Sequence, residues 1–573
     1  MRPLQLVPMA GLPGYVAYFL LLVGPLVLFH ELGHFAVAKW CGVKVTRFSF
    51  GFGPRLLGFR HGETEYRLSL LPLGGYVKMA GDNPAEPLAE EDKGRGFLEA
   101  PPWKRMVIAL AGPAMNLILP VIVFFVTALA FEHQGVAPYV GAVLPDSPAE
   151  HAGMQAGDVI ESVDGKPVRA FEDIRDAVGD RVGVPLAVVV RRDGRDVTLS
   201  MTPTSTEEQD EIETTHRGMV GIRSLAPPAT IGVLDPTSPA YLAGLRTFDR
   251  IVSIDGKPVD DGLELERSFA ASPTGAKAAD IVALRSRPLG YAGLGPAVLQ
   301  AVHAHLVLGP KAGLELDDLY VRWVLPGSPA EKAGIHVGDR VRALDGKPLA
   351  SWWGLEEALK KVAKKPLTLT VEAPGQPAPV VPMTMATMDL GESQVTGERI
   401  HVLTLGLLHD GEPLLPSDRA LPRDWIFPQP RLVTLHVTVG EALADSVTGT
   451  VEISRKELLG LMRMFQGRIS VKQLGGPLMI ADVARQAAQE GAAAFLFMMT
   501  LLSINLGLLN LVPLPALDGG HVATALVEAV RRKPLSMRAR EVTQAFGLVL
   551  LMALMAFVII NDFVQKRGPS LFP

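Results

Sequence analysis

Residues 15–38 are YVAYFLLLVGPLVLFHELGHFAVA, an apolar run that carries two histidines and one glutamate near its end. A helix that crosses a hydrocarbon core needs about 20 apolar residues, so this run predicts a membrane span. His30 and His34 are four residues apart, which places both imidazoles on one helix face, where they can bind one zinc ion. Glu31 lies beside them and can deprotonate a water molecule. Ionisable residues are costly in lipid, so their presence here predicts a functional site.

Three more apolar stretches are long enough to cross a membrane. The predicted spans are Tyr15–Ala38, Met106–Phe131, Ala492–Leu514 and Phe546–Ile560 with its flanks. The first run follows a short N-terminus with Arg2, as a secretory signal would, but cleavage after it would remove the histidine pair. We therefore interpret it as a retained span.

Composition narrows the possible functions. The 573 residues suffice for several domains, and a net charge of -5 without a basic block argues against nucleic-acid binding. A mean hydropathy of +0.25 with 20% charged residues indicates apolar spans separated by soluble segments. Cys41 is the single cysteine, so an internal disulfide is excluded and a metal site must use histidines and carboxylates.

Basic residues predict the orientation of the spans. Lys and Arg are frequent in residues 40–104 and at Arg531, Arg532 and Lys533, so both connecting segments are expected in the cytoplasm. The long insert, residues 132–491, is then expected outside the cytoplasm, although Lys566 and Arg567 favour the opposite orientation.

The insert contains three repeats. Each has Ser-Pro-Ala followed 17 residues later by Asp-Gly-Lys-Pro; the serines are Ser147, Ser238 and Ser328, and the aspartates are Asp164, Asp255 and Asp345. Ser-Pro is typical of a helix N-cap with proline at the first helical position, and Asp-Gly is typical of a tight hairpin. The units resemble bacterial protease PDZ domains over 137–203, 217–290 and 318–385, which would bind extended peptides. For any one unit, a spacer or size filter is the alternative. Phe248 replaces a glycine found in the other two units, so the second is the most divergent.

The third metal ligand is expected where the third span ends. Residues 510–520 are NLVPLPALDGG, and their two prolines cannot continue a helix. A carboxylate at membrane depth needs a partner. A zinc ion can be that partner, since a catalytic zinc has three protein ligands and one open position. Asp518 is therefore the predicted third ligand, and the alternative is that it caps a helix beginning near His521. A fourth ligand would close the open position, so His521 is expected to be structural.

Six ordered motifs, spread over nearly the whole chain, resemble the site-2 protease family, in particular its RseP-type regulators of sigma-E protease. The motifs are FHELGHF (29–35), SFGFGP (49–54), LPLGGYVKM (71–79), AGPAMN (111–116), GGP (475–477) and the segment 510–520. The resemblance implies a polytopic α-helical membrane protein with four transmembrane helices and inserted β-rich PDZ domains. It also implies a membrane-associated β-hairpin over residues 48–79 that pairs with substrate.

By this resemblance, His30, His34 and Asp518 hold Zn²⁺, Glu31 is the general base, and Asn510 binds substrate. Asn116 is expected either to bind substrate or to contact a neighbouring helix. The implied substrates are transmembrane segments of single-span proteins, such as a trimmed anti-sigma factor or a remnant signal peptide. The implied location is a bacterial inner membrane, with the PDZ-like units in the periplasm or otherwise outside the cytoplasm, and cleavage towards the cytoplasmic side of the bilayer.

The chain departs from its implied relatives in having three PDZ-like units where two are typical, and an added segment, Thr387–Glu490. The sequence predicts boundaries at 1–39, 40–104, 105–131, 386–490, 491–515 and 543–563 beside those of the PDZ-like units. Leu458–Phe465 is expected to be an amphipathic helix on the membrane or a packed helix. A membrane-anchored PDZ scaffold and a zinc hydrolase of lipids or other small molecules are the competing functions. Buried charge argues against the first, and peptide-binding units argue against the second.

Overall fold

The computed structural model describes residues 11–83, 88–209, 214–270, 278–288, 297–362, 365–376, 379–392, 399–409, 430–467 and 475–567. The chain divides into two compact units. We call residues 1–133 with 436–573 the membrane unit and residues 134–435 the inserted unit.

The first part of the membrane unit consists of two long helices joined by a bent sheet. Its elements are α1 (Gly11–Trp40), β1 (Val45–His61), β2 (Thr64–Met79) and α2 (Pro102–Ala130), with a 3-10 turn at Glu90–Asp92. Both strands bend, so β1 pairs with β2 in two registers, and Phe48 lies opposite both Val77 and Tyr66. The predicted hairpin thus takes the form of a small folded sheet.

The first PDZ-like unit has a four-stranded sheet in the order β6-β5-β7-β8. The elements are β3 (His133–Val136), β4 (Ala142–Val143), α3 (Pro148–His151), β5 (Val159–Val163), β6 (Lys166–Pro167), α4 (Phe171–Gly179), β7 (Leu186–Arg192), β8 (Arg195–Met201), β9 (Thr204–Gln209), β10 (Thr214–Met219) and β11 (Ile222–Arg223). The last strand, β11, pairs with β4 and closes the unit.

The second and third units repeat this plan, with sheets β14-β13-β15-β16 and β20-β19-β21-β22. The second contains β12 (Ile231–Gly232), α5 (Pro239–Leu242), β13 (Arg250–Ile254), β14 (Lys257–Pro258), α6 (Gly262–Ala270), β15 (Ala279–Pro288), β16 (Ala297–Leu306) and β17 (Glu315–Leu316). The third contains β18 (Trp323–Val324), α7 (Pro329–Lys332), β19 (Arg340–Leu344), β20 (Lys347–Pro348), α8 (Trp352–Val362), β21 (Pro366–Glu372), β22 (Val380–Thr384), β23 (Ala386–Glu392), β24 (Arg399–Thr404) and β25 (Leu407–Leu408), before β26 (Leu432–Leu435) pairs with β3.

The predicted caps and turns of the repeats are confirmed. The hydroxyls of Ser147, Ser238 and Ser328 each accept a backbone N–H bond at the start of a short helix whose first residue is proline. Asp164, Asp255 and Asp345 have positive φ values of 47°, 48° and 50°, and a glycine with positive φ follows each one. Two successive left-handed residues are the geometry of the predicted two-residue hairpin turn.

The extents of the units differ from the predicted boundaries 137–203, 217–290 and 318–385. The three apolar cores span residues 140–222, 229–316 and 321–407, so each unit includes a closing strand beyond its predicted end. Val220, assigned by prediction to the second unit, is buried in the core of the first. The closing strands pair with strands about 80–90 residues earlier, such as Ile222 with Val143, and local sequence patterns do not reveal such long-range pairing.

The membrane unit is completed by five helices: α9 (Val439–Phe465), α10 (Pro477–Glu490), α11 (Ala492–Asn510), α12 (Asp518–Arg531) and α13 (Met537–Arg567). Among the described residues, four helical segments are long and apolar enough to cross a membrane: Ala17–Trp40, Pro102–Ala130, Ala492–Asn510 and Arg538–Asp562. These segments coincide with the four predicted spans, although α11 ends at Asn510 because of the prolines that follow.

Helix α9 contains the segment predicted to be amphipathic. It contacts α2 and α11, and the buried small side chains of Ala442, Ser446 and Thr450 lie four residues apart along it. Leu443, Val447 and Val451 belong to an apolar stripe of α9 that the rest of the protein leaves exposed. The helix is packed along residues 442–450. In the segment predicted to be amphipathic, Leu458 and Met462 are 45% and 49% exposed, so both alternatives for that segment stay predictions.

Candidate active site

Helix α1 carries two of the predicted ligands into the interior of the membrane unit. His30 and His34 are 9% and 8% exposed and one helical turn apart, and the neighbouring sequence is apolar except for Glu31. Their Nε2 atoms are 3.2 Å apart, so both imidazoles are directed at the same point.

Asp518, the first residue of α12, reaches the same point from the other end of the chain. The segment after α11 turns sharply, with Leu517 N–H bonded to the carbonyl of Leu514, as the two prolines predict. Gly519 and Gly520 allow this turn, because an added methyl group would lie 2.3 Å from the Val512 carbonyl and 2.2 Å from the Leu514 carbonyl, respectively. The close fold brings the Asp518 carboxylate against the two imidazoles.

The three side chains have the dimensions of a zinc site. Asp518 Oδ2 is 3.1 Å from His30 Nε2, and Asp518 Oδ1 is 3.4 Å from His34 Nε2. Ligand atoms about 2.0–2.2 Å from a tetrahedral zinc ion are roughly 3.3 Å apart, so all three separations fit that metal. Two imidazoles and one carboxylate are also a usual ligand set for zinc with one open coordination position. His521 lies edge-on to Phe97 and is not a member of this group of ligands.

Helix α2 lies against the two histidines. The Nδ1 of His34 donates to the carbonyl of Ile108 at 2.8 Å, which leaves its Nε2 free for a metal. Between the rings is Gly112, where an added methyl group would lie 2.3 Å from His34 Nε2 and 2.7 Å from His30 Cε1. Only a residue without a side chain fits there. The sequence does not predict this contact, because a glycine within an apolar span has many possible roles.

Asn116 is on the same side of α2 and is fully buried, with its amide 3.2 Å from Nδ1 of His30. Asn116 thus contacts a neighbouring helix, and its role in substrate binding, the other alternative, stays a prediction. Asn510 is the last residue of α11 and is partly exposed, so its role in substrate binding stays a prediction.

Glu31 faces the bent sheet. Its carboxylate lies close to the backbone of Val77, and a methyl group on Gly75 would lie 3.0 Å from its Cγ. The Gly75–Met79 end of β2 therefore runs directly beside the residue predicted to be the general base. Pairing of this strand with substrate stays a prediction that rests on the family resemblance.

A buried charged cluster joins three helices of the membrane unit. Glu528 of α12 is 3% exposed and accepts hydrogen bonds from Arg105 of α2 and Arg540 of α13. The backbone N–H of Leu535 donates to the same carboxylate at 2.9 Å. Burial alone would raise the pKa of Glu528, but these three donors outweigh it and hold the pKa below its usual range.

Comparisons with known proteins agree with this site. A model of peptidase family M50 matches residues 18–554 of the chain. A protein from Neisseria meningitidis, whose name provisionally assigns it to the zinc metalloproteases, is 32% identical over 95% of this chain and 97% of its own. The regulators of sigma-E protease RseP from Salmonella typhimurium and Escherichia coli are each 26% identical over 96% of this chain and 98% of their own.

Among solved structures, the PDZ domain of an SdrC-like protein from Listeria monocytogenes is 23% identical, covering 16% of this chain and 86% of its own with a TM-score of 0.13. The family model extends across both histidines and Asp518 and accounts for most of the chain. The chain therefore belongs to peptidase family M50, the site-2 protease family, and is a zinc metalloprotease.

Proposed function

We propose that this protein is an endopeptidase that cleaves transmembrane segments of single-span membrane proteins inside the bilayer. The observation that carries the proposal is the convergence of His30, His34 and Asp518 within 3.1–3.4 Å of one another, two of them on a helix long and apolar enough to span a membrane. A scaffold has no physical need for such a buried cluster, because it is costly in lipid.

The bent sheet offers a way to hold the substrate. A transmembrane helix hides its peptide bonds in internal hydrogen bonds, so it must unwind before water can attack. The Gly75–Met79 segment, next to Glu31, can hold an unwound segment by strand addition. Apolar side chains on the sheet, such as Leu57 and Phe59, are 67% and 65% exposed, which suits contact with lipid or with an apolar substrate.

The side chains divide the chemistry between them. His30, His34 and Asp518 would hold zinc, which polarises a carbonyl and lowers the pKa of a water molecule. Glu31 takes a proton from the attacking water and passes it to the departing nitrogen. Its position beside the Gly75–Met79 segment, where the substrate is proposed to bind, suits this role. Asn510 is proposed to steady the substrate near the scissile bond.

The substrate class follows from the family and from the inserted unit. Two relatives are named regulator of sigma-E protease RseP, so anti-sigma-factor-type proteins and remnant signal peptides are the proposed substrates. Three PDZ-like units would exclude substrates with bulky outer domains. We place the protein in a bacterial inner membrane, with the inserted unit in the periplasm and the ligands towards the cytoplasm, since basic residues cluster between the first two and the last two spans.

The catalytic proposal is tested with purified protein in detergent and a model single-span substrate. Wild type should cleave it, a zinc chelator should stop cleavage, and added zinc should restore it. Glu31→Gln should be inactive while it still binds zinc, and Glu541→Gln, which changes an exposed glutamate of α13, should behave as wild type. Cleavage by Glu31→Gln at the wild-type rate would overturn the assigned mechanism.

The size filter is tested with wild-type protein and two substrates that share one transmembrane segment. One carries a short outer tail and the other a folded outer domain. We expect cleavage of the first alone when both are reconstituted in vesicles. Equal rates for the two would show that the inserted unit does not exclude bulky substrates.

A further inference from the structure

Asn116 is a buried polar residue of α2, and the proposed mechanism assigns no role to it. It is 0% exposed, so its amide contacts only other residues of the protein in this structure. Its amide lies 3.2 Å from Nδ1 of His30, and the other polar atom of the amide has no partner among the described residues. A polar side chain is kept in such a place at a cost, which calls for a function.

Helix α2 presents a stripe of three residues to the two histidines. Ile108, Gly112 and Asn116 are spaced four apart, so they follow one face of the helix. The carbonyl of Ile108 bonds Nδ1 of His34, Gly112 makes room for both rings, and the amide of Asn116 meets Nδ1 of His30. The outer nitrogen of each imidazole thus has its own partner on α2.

The chemistry of His30 decides which end of the amide must face it. His34 Nε2 and Asp518 both approach Nε2 of His30, so Nε2 is the atom available to a metal. A neutral imidazole that binds metal through Nε2 carries its proton on Nδ1 and becomes a donor there. It then requires an acceptor, and the amide oxygen of Asn116 supplies one when the amide is turned so that Oδ1 faces the ring.

We propose that Asn116 is a positioning residue, which accepts the Nδ1–H bond of His30 and so fixes the tautomer and the ring orientation that bind zinc. The proposal rests on the zinc site of the proposed function. The residue is itself fixed, because the hydroxyl of Ser503 on α11 donates to its backbone carbonyl at 2.7 Å. The ligand His30 is thereby linked through α2 to the helix that precedes Asp518.

The test measures zinc affinity rather than turnover, by competition with a chelator of known affinity in detergent. Asn116→Leu removes the acceptor with little change in volume and should weaken zinc binding about 10–100-fold, the usual cost of losing an outer partner of a histidine ligand. Asn116→Asp keeps an acceptor oxygen and should retain wild-type affinity within about threefold or exceed it. Thr500→Val, which removes another fully buried polar group of the membrane unit, is the matched control and should leave affinity unchanged.

The outcomes separate this inference from the proposed function. Absence of zinc from wild type would defeat the proposed function itself. Zinc binding by Asn116→Leu at wild-type affinity, with KM raised and kcat unchanged, would make Asn116 a substrate residue and overturn the inference. If Asn116→Leu does not fold, Asn116→Asp still decides, because a tenfold loss of affinity there contradicts the acceptor role. Cobalt-loaded Asn116→Asp should keep the wild-type visible absorption spectrum, which reports the ligand geometry.

Discussion

Replacing Gly112 by Ala should damage the zinc site without touching a ligand. The new methyl group would lie 2.3 Å from His34 Nε2 and 2.6 Å from its Cε1, and 2.7 Å from Cε1 of His30. Carbon contacts are comfortable at about 3.5 Å, so the rings or helix α2 must move by roughly 1 Å. Zinc sites tolerate only about 0.2 Å in ligand distances, and a displacement of about 1 Å can lower turnover about 100-fold.

We therefore expect Gly112→Ala to lose zinc affinity by about 100-fold or more and to cleave a model substrate at about a hundredth of the wild-type rate. Zinc is measured by chelator competition and folding by thermal unfolding in detergent. Gly449→Ala is the control, since the same change in the middle of α9 meets no atom within 4 Å and should stabilise the helix by about 1 kcal/mol. Wild-type zinc affinity and rate in Gly112→Ala would refute the packing argument.

Three further changes test other parts of the membrane unit. Glu528→Gln should lower the free energy of unfolding by about 3–5 kcal/mol, as when one partner of a buried ion pair is removed; Glu541→Gln is the control. The hydrogen-bond donors around Glu528 lower its pKa from the usual value of 4.5 in the folded protein. Its carboxylate therefore stabilises the fold fully above about pH 4.5 and progressively less as the pH falls further. Thermal unfolding of Glu528→Gln should lack this pH dependence. Asp562→Ala should cost about 0.5–2 kcal/mol, because the Asp562 carboxylate accepts the N–H bonds of Gly476 and Leu478 at the start of α10; an unchanged unfolding temperature would contradict this capping role. Chelation should lower the unfolding temperature of wild type but not that of His34→Ala, a difference that calorimetry would detect and that a metal-independent fold would not show.

The parts of the site that the sequence predicted are those fixed by local geometry. Four-residue spacing on a helix determines that His30 and His34 share a face, and the prolines before Asp518 determine that the chain breaks there. Apolar length alone predicted the four spans. The repeated Ser-Pro and Asp-Gly pairs predicted caps and turns, because each depends on residues that are neighbours in the chain.

The features that the sequence did not predict depend on contacts between distant residues. The pairing of Ile222 with Val143 fixes the extent of the first PDZ-like unit, and no periodic pattern connects them. Arg105 and Glu528 form an ion pair although they are 423 residues apart in the sequence. Neither residue has a sequence neighbour that predicts this pairing. The contact of the Ile108 carbonyl with His34 involves the backbone and leaves no signature in the sequence.

The split origin of the three ligand residues has a consequence for biosynthesis. His30 and His34 precede the inserted unit in the chain, and Asp518 follows it. Since a chain is made from its N-terminus, α1 enters the membrane carrying ionisable groups that lack their carboxylate partner. A nascent chain holds an incomplete ligand set until the ribosome has passed residue 518. The complete ligand set therefore exists only in chains whose inserted unit has already been synthesised.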